Sequence, residues 1–174
     1  TKTVYFVYSG EVMLYNLTKH GNRKVIFILG KGQLLNQSIV SKKPNALFCE
    51  AVCPVKVIEI AEEQFLQLME QSHALTRAVL REYERNLWRM GHQLKNTTGN
   101  MQMERKIAAK LWKLGRDFGV DTEDGVMIDI DLTITLMADL VGAPRENVSR
   151  ACKVLTDRGL IRYGNKRFIL IDFD

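Results

Sequence analysis

Four polar residues in the C-terminal half of the chain have side chains suited to hydrogen bonding with the edges of base pairs. They are Arg145, Glu146, Ser149 and Arg150. A guanidinium can donate two hydrogen bonds to O6 and N7 of guanine, and a carboxylate can accept one from N4 of cytosine. Their spacing places them on one side of a helix, which predicts a helix face that reads bases in the major groove. An ordinary solvated face, with a Glu146–Arg150 ion pair, is the alternative.

A helix-turn-helix is the element predicted to position these residues. Two segments flank the turn, and each has apolar residues at helical spacing. In the first they are Ile134, Met137, Ala138 and Val141; in the second they are Val148, Ala151, Cys152 and Leu155. Thr133 can cap the first helix, Gly142 can take the positive φ of a tight turn, and Pro144 suits the start of the second helix.

A basic hairpin is predicted directly after the second helix. Short apolar runs at 160–163 and 168–171 are rich in strand-forming residues, and the turn between them is Gly164-Asn165-Lys166-Arg167. Residues 143–167 include seven Lys or Arg and two acidic residues, whereas residues 99–174 hold twelve of each sign. The local excess of positive charge favours contact of this hairpin with phosphates.

Two stretches of the chain resemble the Crp/Fnr family of bacterial transcription regulators. The family's recognition segment is similar to residues 142–161, GAPRENVSRACKVLTDRGLI, and its N-terminal β-roll is similar to residues 4–35, VYFVYSGEVMLYNLTKHGNRKVIFILGKGQLL. The resemblance implies that Arg145, Glu146, Ser149 and Arg150 read bases in a half-site similar to TGA or TTGA. It also implies phosphate contacts from Thr133, Lys153, Lys166 and Arg167.

The resemblance further implies an α+β fold with three parts. We expect a β-roll, like the jelly roll of cyclic-nucleotide-binding domains, at 1–71, a dimerisation helix and hinge at 72–98, and a winged helix-turn-helix at 99–174. Strand-like runs at 4–8, 12–15, 25–29, 47–52 and 55–60 are separated largely by glycine turns, which by itself suggests an antiparallel sandwich or barrel. Because the chain opens at Thr1 and enters a strand almost at once, we expect earlier strands of the roll to be absent from it.

A long helix is predicted after a short one at Glu62–Gln71. Its apolar residues are spaced 3, 4, 3, 4, as in a heptad seam: Leu80, Tyr83, Leu87, Met90 and Leu94. We expect this helix, His73–Leu94, to form a two-fold dimer; packing on its own chain alone is the alternative. Four arginines at 77, 81, 85 and 89 predict a solvated face, and 96–100 (NTTGN) predicts the hinge.

The predicted DNA-binding domain begins with an amphipathic helix at Met101–Phe118. Its expected core residues are Ile107, Leu111, Trp112, Leu114 and Phe118. An acidic loop at 120–124 and a strand at 126–130 should follow. In members of the family a loop like this can contact RNA polymerase.

Cyclic AMP is not an expected ligand. The family's nucleotide-binding stretch usually carries Gly-Glu for the ribose and Arg-Ser or Arg-Thr for the phosphate, but this chain has Asn36-Gln37 and Asn45-Ala46 there. A buried phosphate needs a cation and oriented donors. The lysines at 42–43 are expected on an exposed turn, so the effector stays unidentified.

Metal chemistry is not supported by the cysteines and histidines. Cys49 and Cys53 are too few for a zinc site or an iron–sulfur cluster, whose cysteines in oxygen sensors of this family lie mostly upstream of the roll. We expect both to be small, at least partly buried hydrophobes, and Cys152 to be structural. A cupin-like metalloenzyme needs a His/Glu set, and the roll offers one histidine, His20. We therefore expect no enzyme activity and no metal.

The composition of the chain limits which other classes of protein it can belong to. The chain has 174 residues and a net charge of +5, and 46% of its residues are hydrophobic, as in an ordinary globular protein. There is no apolar run long enough for a bilayer and no disulfide framework, so we expect a cytoplasmic protein without a membrane partner. A pure protein-interaction module would leave the Arg145–Arg150 face and the basic hairpin unexplained.

The function expected from the sequence is that of a homodimeric regulator on a near-palindromic operator. Its partners would be double-stranded DNA, a second copy of itself and RNA polymerase. An effector or redox signal acting through the roll is expected to control it; a ligand-independent regulator controlled by its own abundance is the alternative.

Overall fold

The computed structural model describes residues 3–41, 43–97 and 102–171, and only the backbone within 94–97. Contacts divide the chain into two compact units. The first unit comprises residues 1–16 and 26–98, and the second comprises residues 17–25 and 99–174. Among the described residues, no helix combines the length and the apolar character needed to cross a membrane.

Five strands of the roll lie in two sheets. Their bounds are β1 Thr3–Ser9, β2 Val12–Leu17, β3 Arg23–Leu29, β4 Phe48–Ala51 and β5 Lys56–Ala61. Antiparallel β1 and β5 form one sheet, and the other has the order β3-β2-β4. Each matches a predicted strand, because apolar runs between turns are a strong local signal. Gly10 makes the β1–β2 turn at φ +81°, where a Cβ would lie 2.5 Å from the Pro54 oxygen.

Two helices, α1 (Glu62–Gln71) and α2 (His73–Thr97), follow the strands of the roll. The core of the unit forms where Val4, Phe65 and Val79 meet, with the Phe6 and Phe65 rings 5.4 Å apart. The prediction that α2 ends before residue 96 is wrong, since the helix continues to Thr97. Residues 98–100 of the predicted hinge lie outside the described part.

The arginine row of α2 is only partly solvated. Arg77, Arg81 and Arg85 are exposed, and Arg85 pairs with Glu82. Arg89 is 6% exposed, so the prediction of a fully solvated row is wrong at this position. A guanidinium with a long aliphatic stem can be buried when its donors find partners, and Arg89 does have interactions.

The second unit contains three helices and a four-stranded sheet among its described residues. The helices are α3 Met103–Phe118, α4 Ile134–Val141 and α5 Arg145–Asp157; the strands are β6 Gly119–Thr122, β7 Gly125–Ile128, β8 Ile161–Gly164 and β9 Arg167–Leu170. The sheet order is β6-β7-β9-β8. Ile107, Leu111 and Met137 are completely buried in the core of this unit.

Two predictions in this unit are wrong. Residues 119–122 form strand β6 and not part of an acidic loop, because β7 supplies their backbone partners, for example Val120 opposite Met127. Trp112 is 47% exposed and not in the core. It follows Leu111 by one residue, which turns it away from the buried stripe, and its ring lies under the Arg116 guanidinium at 5.1 Å.

Candidate DNA interface

The first helix of the helix-turn-helix is fixed at both ends. The Thr133 hydroxyl accepts a hydrogen bond from the Leu136 N–H at 3.0 Å and caps the start of α4. Gly142 ends α4 in the left-handed region, at φ +71°, and its N–H donates to the Ala138 oxygen at 2.8 Å. Both predictions are confirmed. Pro144 is the residue directly before α5, whose first helical residue is Arg145.

Helix α5 presents two different faces. Its inner face is buried at Val148, Ala151, Cys152 and Leu155. Burial raises the pKa of the Cys152 thiol to about 11, so this cysteine stays protonated and packs as an apolar residue. The residues of the outer face are all exposed: Arg145, Glu146, Ser149, Arg150 and Lys153. A rigid inner stripe therefore holds an outer row of hydrogen-bonding side chains in solvent.

One polar contact organises this outer face. The Arg150 guanidinium donates from Nη2 to Oδ1 of Asn147 at 2.5 Å. This contact takes the place of the Glu146–Arg150 ion pair considered from the sequence. Asn147 has a neutral amide, so this contact does not offset the positive charge of Arg150.

The wing is a tight hairpin tied to the approach to α4. Strands β8 and β9 pair antiparallel with Gly164 opposite Arg167, so the turn is made by Asn165 and Lys166. Both turn residues have positive φ, 50° and 59°, as a two-residue hairpin turn of type I′ requires. The Leu132 N–H donates to the Lys166 oxygen at 2.8 Å, which fixes the wing tip beside the start of the helix-turn-helix.

Carboxylates accompany the two cations at the turn of the wing. Arg167 lies 3.6 Å from Asp129 and 3.4 Å from Asp131, and its buried Nη1 has no hydrogen-bond partner among the described residues. Lys166 lies 3.9 Å from Asp131, and 61% of its side chain is exposed. Arg167 is therefore engaged within the protein, whereas Lys166 projects from the wing.

Lys24, which lies in residues 17–25 of the second unit, contacts the helix-turn-helix. Its Nζ donates to the Leu140 oxygen at 3.3 Å, near the C-terminal end of α4. The pKa of Lys24 is lowered mainly by burial and further by the positive charge of Lys106. The pKa of Lys110 is lowered to about 8, mainly by burial and further by the positive charges of Lys24 and Lys113. A helix C-terminus favours a cation, so Lys24 stabilises the end of α4.

Comparison with known protein families accounts for both units. The model of the cyclic nucleotide-binding domain matches residues 1–72, and the model of the Crp-like helix-turn-helix domain matches residues 105–174. The chain belongs to the Crp/Fnr family. Its fold is accordingly a cyclic-nucleotide-binding-like roll followed by a winged helix-turn-helix.

Relatives in the Crp/Fnr family are transcription regulators. The chain is 24% identical over 170 residues to the CRP-like cAMP-activated global transcriptional regulator of Mycobacterium tuberculosis, covering 97% of this chain and 75% of that protein. It is 25% identical over 167 residues to the global nitrogen regulator of a Nostoc species, covering 94% and 74%. The solved structure of FixK2 from Bradyrhizobium japonicum has the same fold, with a TM-score of 0.82, 20% identity, and coverage of 99% and 84%.

The described part of the roll does not supply the charged ligands that a cyclic nucleotide needs. A cavity of about 470 Å³ opens between its loop and α2, and the described residues that line it carry no charge: Gln37, Ser38, Ile39, Val40, Ser41 and Tyr83. The amides that replace the family's ribose and phosphate ligands bind the chain itself. Gln37 Oε1 accepts from the Leu47 N–H at 3.1 Å, and Asn45 Oδ1 accepts from the Gln37 N–H at 2.9 Å. Lys42 lies outside the described residues.

The remaining cysteines have different surroundings. Cys53 Sγ donates to the Glu11 carboxylate at 2.9 Å and is partly buried. Cys49 is exposed, so the expectation of at least partial burial is wrong for it; β4 pairs only with β2 among the described strands. In the part of the chain that the structure describes, no three His, Cys, Asp or Glu residues come together as metal ligands.

The predicted heptad seam of α2 divides between two environments. Leu80, Leu87 and Met90 are exposed, whereas Tyr83 packs against the core of the roll and its hydroxyl donates to the Asn36 oxygen at 3.4 Å. Trp88, which the sequence did not single out, is 60% exposed. The Leu94 side chain lies outside the described residues.

Several residues of the interface were not predicted. Asn147 and Lys24 contribute through hydrogen bonds to Arg150 and Leu140. The periodicity of apolar residues in the sequence does not indicate that these groups are close together. The carboxylates beside the wing had a weak signal, since Asp129 and Asp131 alternate with a buried residue and so share one side of the chain.

Proposed function

We propose that the chain is a sequence-specific DNA-binding transcription regulator that acts as a homodimer on a near-palindromic operator. The observation that carries this proposal is the two-sided α5 helix. Four candidate base-reading residues are exposed on its outer face, and the apolar residues of its inner face are buried. Membership of a family of transcription regulators supports it.

Arg145, Glu146, Ser149 and Arg150 would read base edges in the major groove. Phosphate contacts would come from the α4 cap, the outer face of α5 and the wing: Thr133, Lys153, Lys166 and Arg167. Lys153 and Lys166 are exposed and would be available to a phosphate, Lys166 after leaving Asp131. Arg167 would contribute mainly by holding the wing against Asp129 and Asp131.

The dimer would form along α2. Its 25 residues span about 37 Å at the rise of an α-helix, and the exposed apolar side chains of Leu80, Leu87 and Met90 would be covered by a second copy. Dimeric helix-turn-helix proteins place their recognition helices about one DNA turn, ~34 Å, apart. That spacing comes from the class of protein and not from a measurement on this chain.

Control would act through the roll, by a signal that favours one arrangement of the dimer. The M. tuberculosis relative is described as cAMP-activated, but the lack of charge among the described residues of this cavity supports a different effector. The hydrogen bonds that the loop makes with itself also support the alternative of control by abundance without a ligand. RNA polymerase in the cytoplasm is the expected partner of the DNA-bound dimer.

Binding of the purified chain to random-sequence duplex DNA tests the DNA-binding class. In a filter-binding series at several salt concentrations, the logarithm of the binding constant should fall linearly with the logarithm of the salt concentration, because phosphate contacts release counterions. A folded chain that binds no duplex at low salt would contradict the proposal and favour a protein-interaction module.

A further inference from the structure

Asn147 lies inside the proposed base-reading face. The base-reading residues proposed above, Arg145, Glu146, Ser149 and Arg150, do not include it. It sits in the first turn of α5, where its N–H donates to the Pro144 oxygen at 3.1 Å, and it precedes the completely buried Val148. Its backbone is therefore well fixed. Its side chain is half-buried, and its Oδ1 accepts from Arg150 Nη2 at 2.5 Å.

Arg150 needs such a partner. It is exposed, and a long, rotamer-rich side chain loses conformational freedom when it binds DNA, at a cost that reduces affinity. A guanidinium has five N–H donors in a rigid fork. One hydrogen bond to Asn147 restricts the fork and leaves four donors, which is enough for a bidentate contact with guanine.

A neutral partner suits this position better than the carboxylate of Glu146. An ion pair with Glu146 would offset the charge that Arg150 brings to DNA and would occupy the carboxylate that is proposed to accept a hydrogen bond from a base. The amide oxygen orients the guanidinium without either effect. Because the two residues are three positions apart on one helix, the contact needs no other element.

We infer that Asn147 is a positioning residue that holds Arg150 ready to read its base pair. This inference rests on the proposed role of Arg150 in DNA recognition. Asn147 would thus determine specificity through Arg150, at a base pair that it does not itself contact.

A double-mutant cycle on the operator tests the inference. Asn147→Leu has nearly the shape of asparagine but no acceptor, and it should weaken binding about three- to tenfold per half-site, as expected for one side chain that is no longer pre-oriented. Preference should relax at the base pair that Arg150→Ala also affects, and at no other. In the Arg150→Ala background, Asn147→Leu should change affinity less than twofold. Asn147→Asp, which keeps the acceptor, should restore the preference even if added negative charge lowers affinity for every sequence.

The outcomes separate the inference from the proposed function. If Asn147→Leu costs as much without Arg150 as with it, Asn147 contacts DNA directly and the inference is wrong. The inference also fails if Asn147→Leu, shown by its melting curve to be folded, binds and discriminates like wild type while Arg150→Ala does not. If Arg150→Ala itself retains full sequence-specific affinity, the proposed base-reading role fails, and the inference fails with it.

Discussion

Lys166 and Arg167 are neighbours at the wing with very different surroundings. Lys166 is mostly exposed and has one carboxylate at 3.9 Å, whereas Arg167 lies between two carboxylates with part of its guanidinium buried. An exposed ion pair of this length contributes little to stability. Lys166 is therefore free to exchange Asp131 for a phosphate, while Arg167 serves the shape of the wing.

We expect Lys166→Ala to weaken binding to all sequences alike. The variant loses one phosphate contact per protomer. The fall of log K with log salt should therefore become less steep, by about one unit of slope for each wing that touches DNA. Filter binding over a salt series measures this. Lys31→Ala, which removes an exposed charge from the roll, is the matched control and should leave the slope unchanged. A change in base preference would mean that the wing reads bases.

At the scale of elements, the turn between α4 and α5 depends on Gly142. Its φ of +71° lies in the left-handed region, and a Cβ would meet the mobile end of Lys24, with Nζ at 2.8 Å. Gly142→Ala should therefore cost about 1–2 kcal/mol, chiefly from backbone strain. Gly91 lies inside α2, and no atom of the described residues comes within 4 Å of a Cβ there, so Gly91→Ala should instead stabilise the chain by about 0.5–1 kcal/mol.

Denaturant unfolding of both variants checks these opposite signs. If Gly142→Ala unfolded at the wild-type denaturant concentration, the turn would not need a left-handed residue. The helix-turn-helix would then be less constrained than its geometry indicates.

The elements that the sequence predicted are those encoded by a repeated burial pattern. The five strands of the roll and the two helices around Gly142 combine apolar periodicity with a residue that turns the chain. Strand β6 was missed because all four of its residues are exposed, and only its pairing with β7 makes it a strand. The burial of Arg89 and the Asn147–Arg150 contact depend on neighbours in space, for which a single sequence carries no signal.

At the scale of the whole molecule, the proposed dimer depends on the apolar face of α2. Leu87 is 72% exposed, which is unusual for a leucine in the middle of a long helix. Leu87→Glu should give a folded monomer by sedimentation equilibrium, because a buried unpaired carboxylate would oppose association. Operator affinity should fall by more than tenfold, since the two half-sites are no longer bound by linked modules.

The control for that prediction is the variant Leu68→Glu, in which an exposed leucine on α1 is replaced. It introduces the same charge away from the proposed seam and should leave the oligomeric state unchanged. If Leu87→Glu still sedimented as a dimer, the interface would lie elsewhere than on α2.

Selection of bound sites from a random oligonucleotide pool by the wild-type chain tests the central claim most directly. Two symmetric copies of the α5 face predict an enriched near-palindrome whose half-sites, similar to TGA or TTGA, are centred about one helical turn apart. Enrichment of a single unpaired motif, or of no motif although the chain binds duplex DNA, would contradict the account.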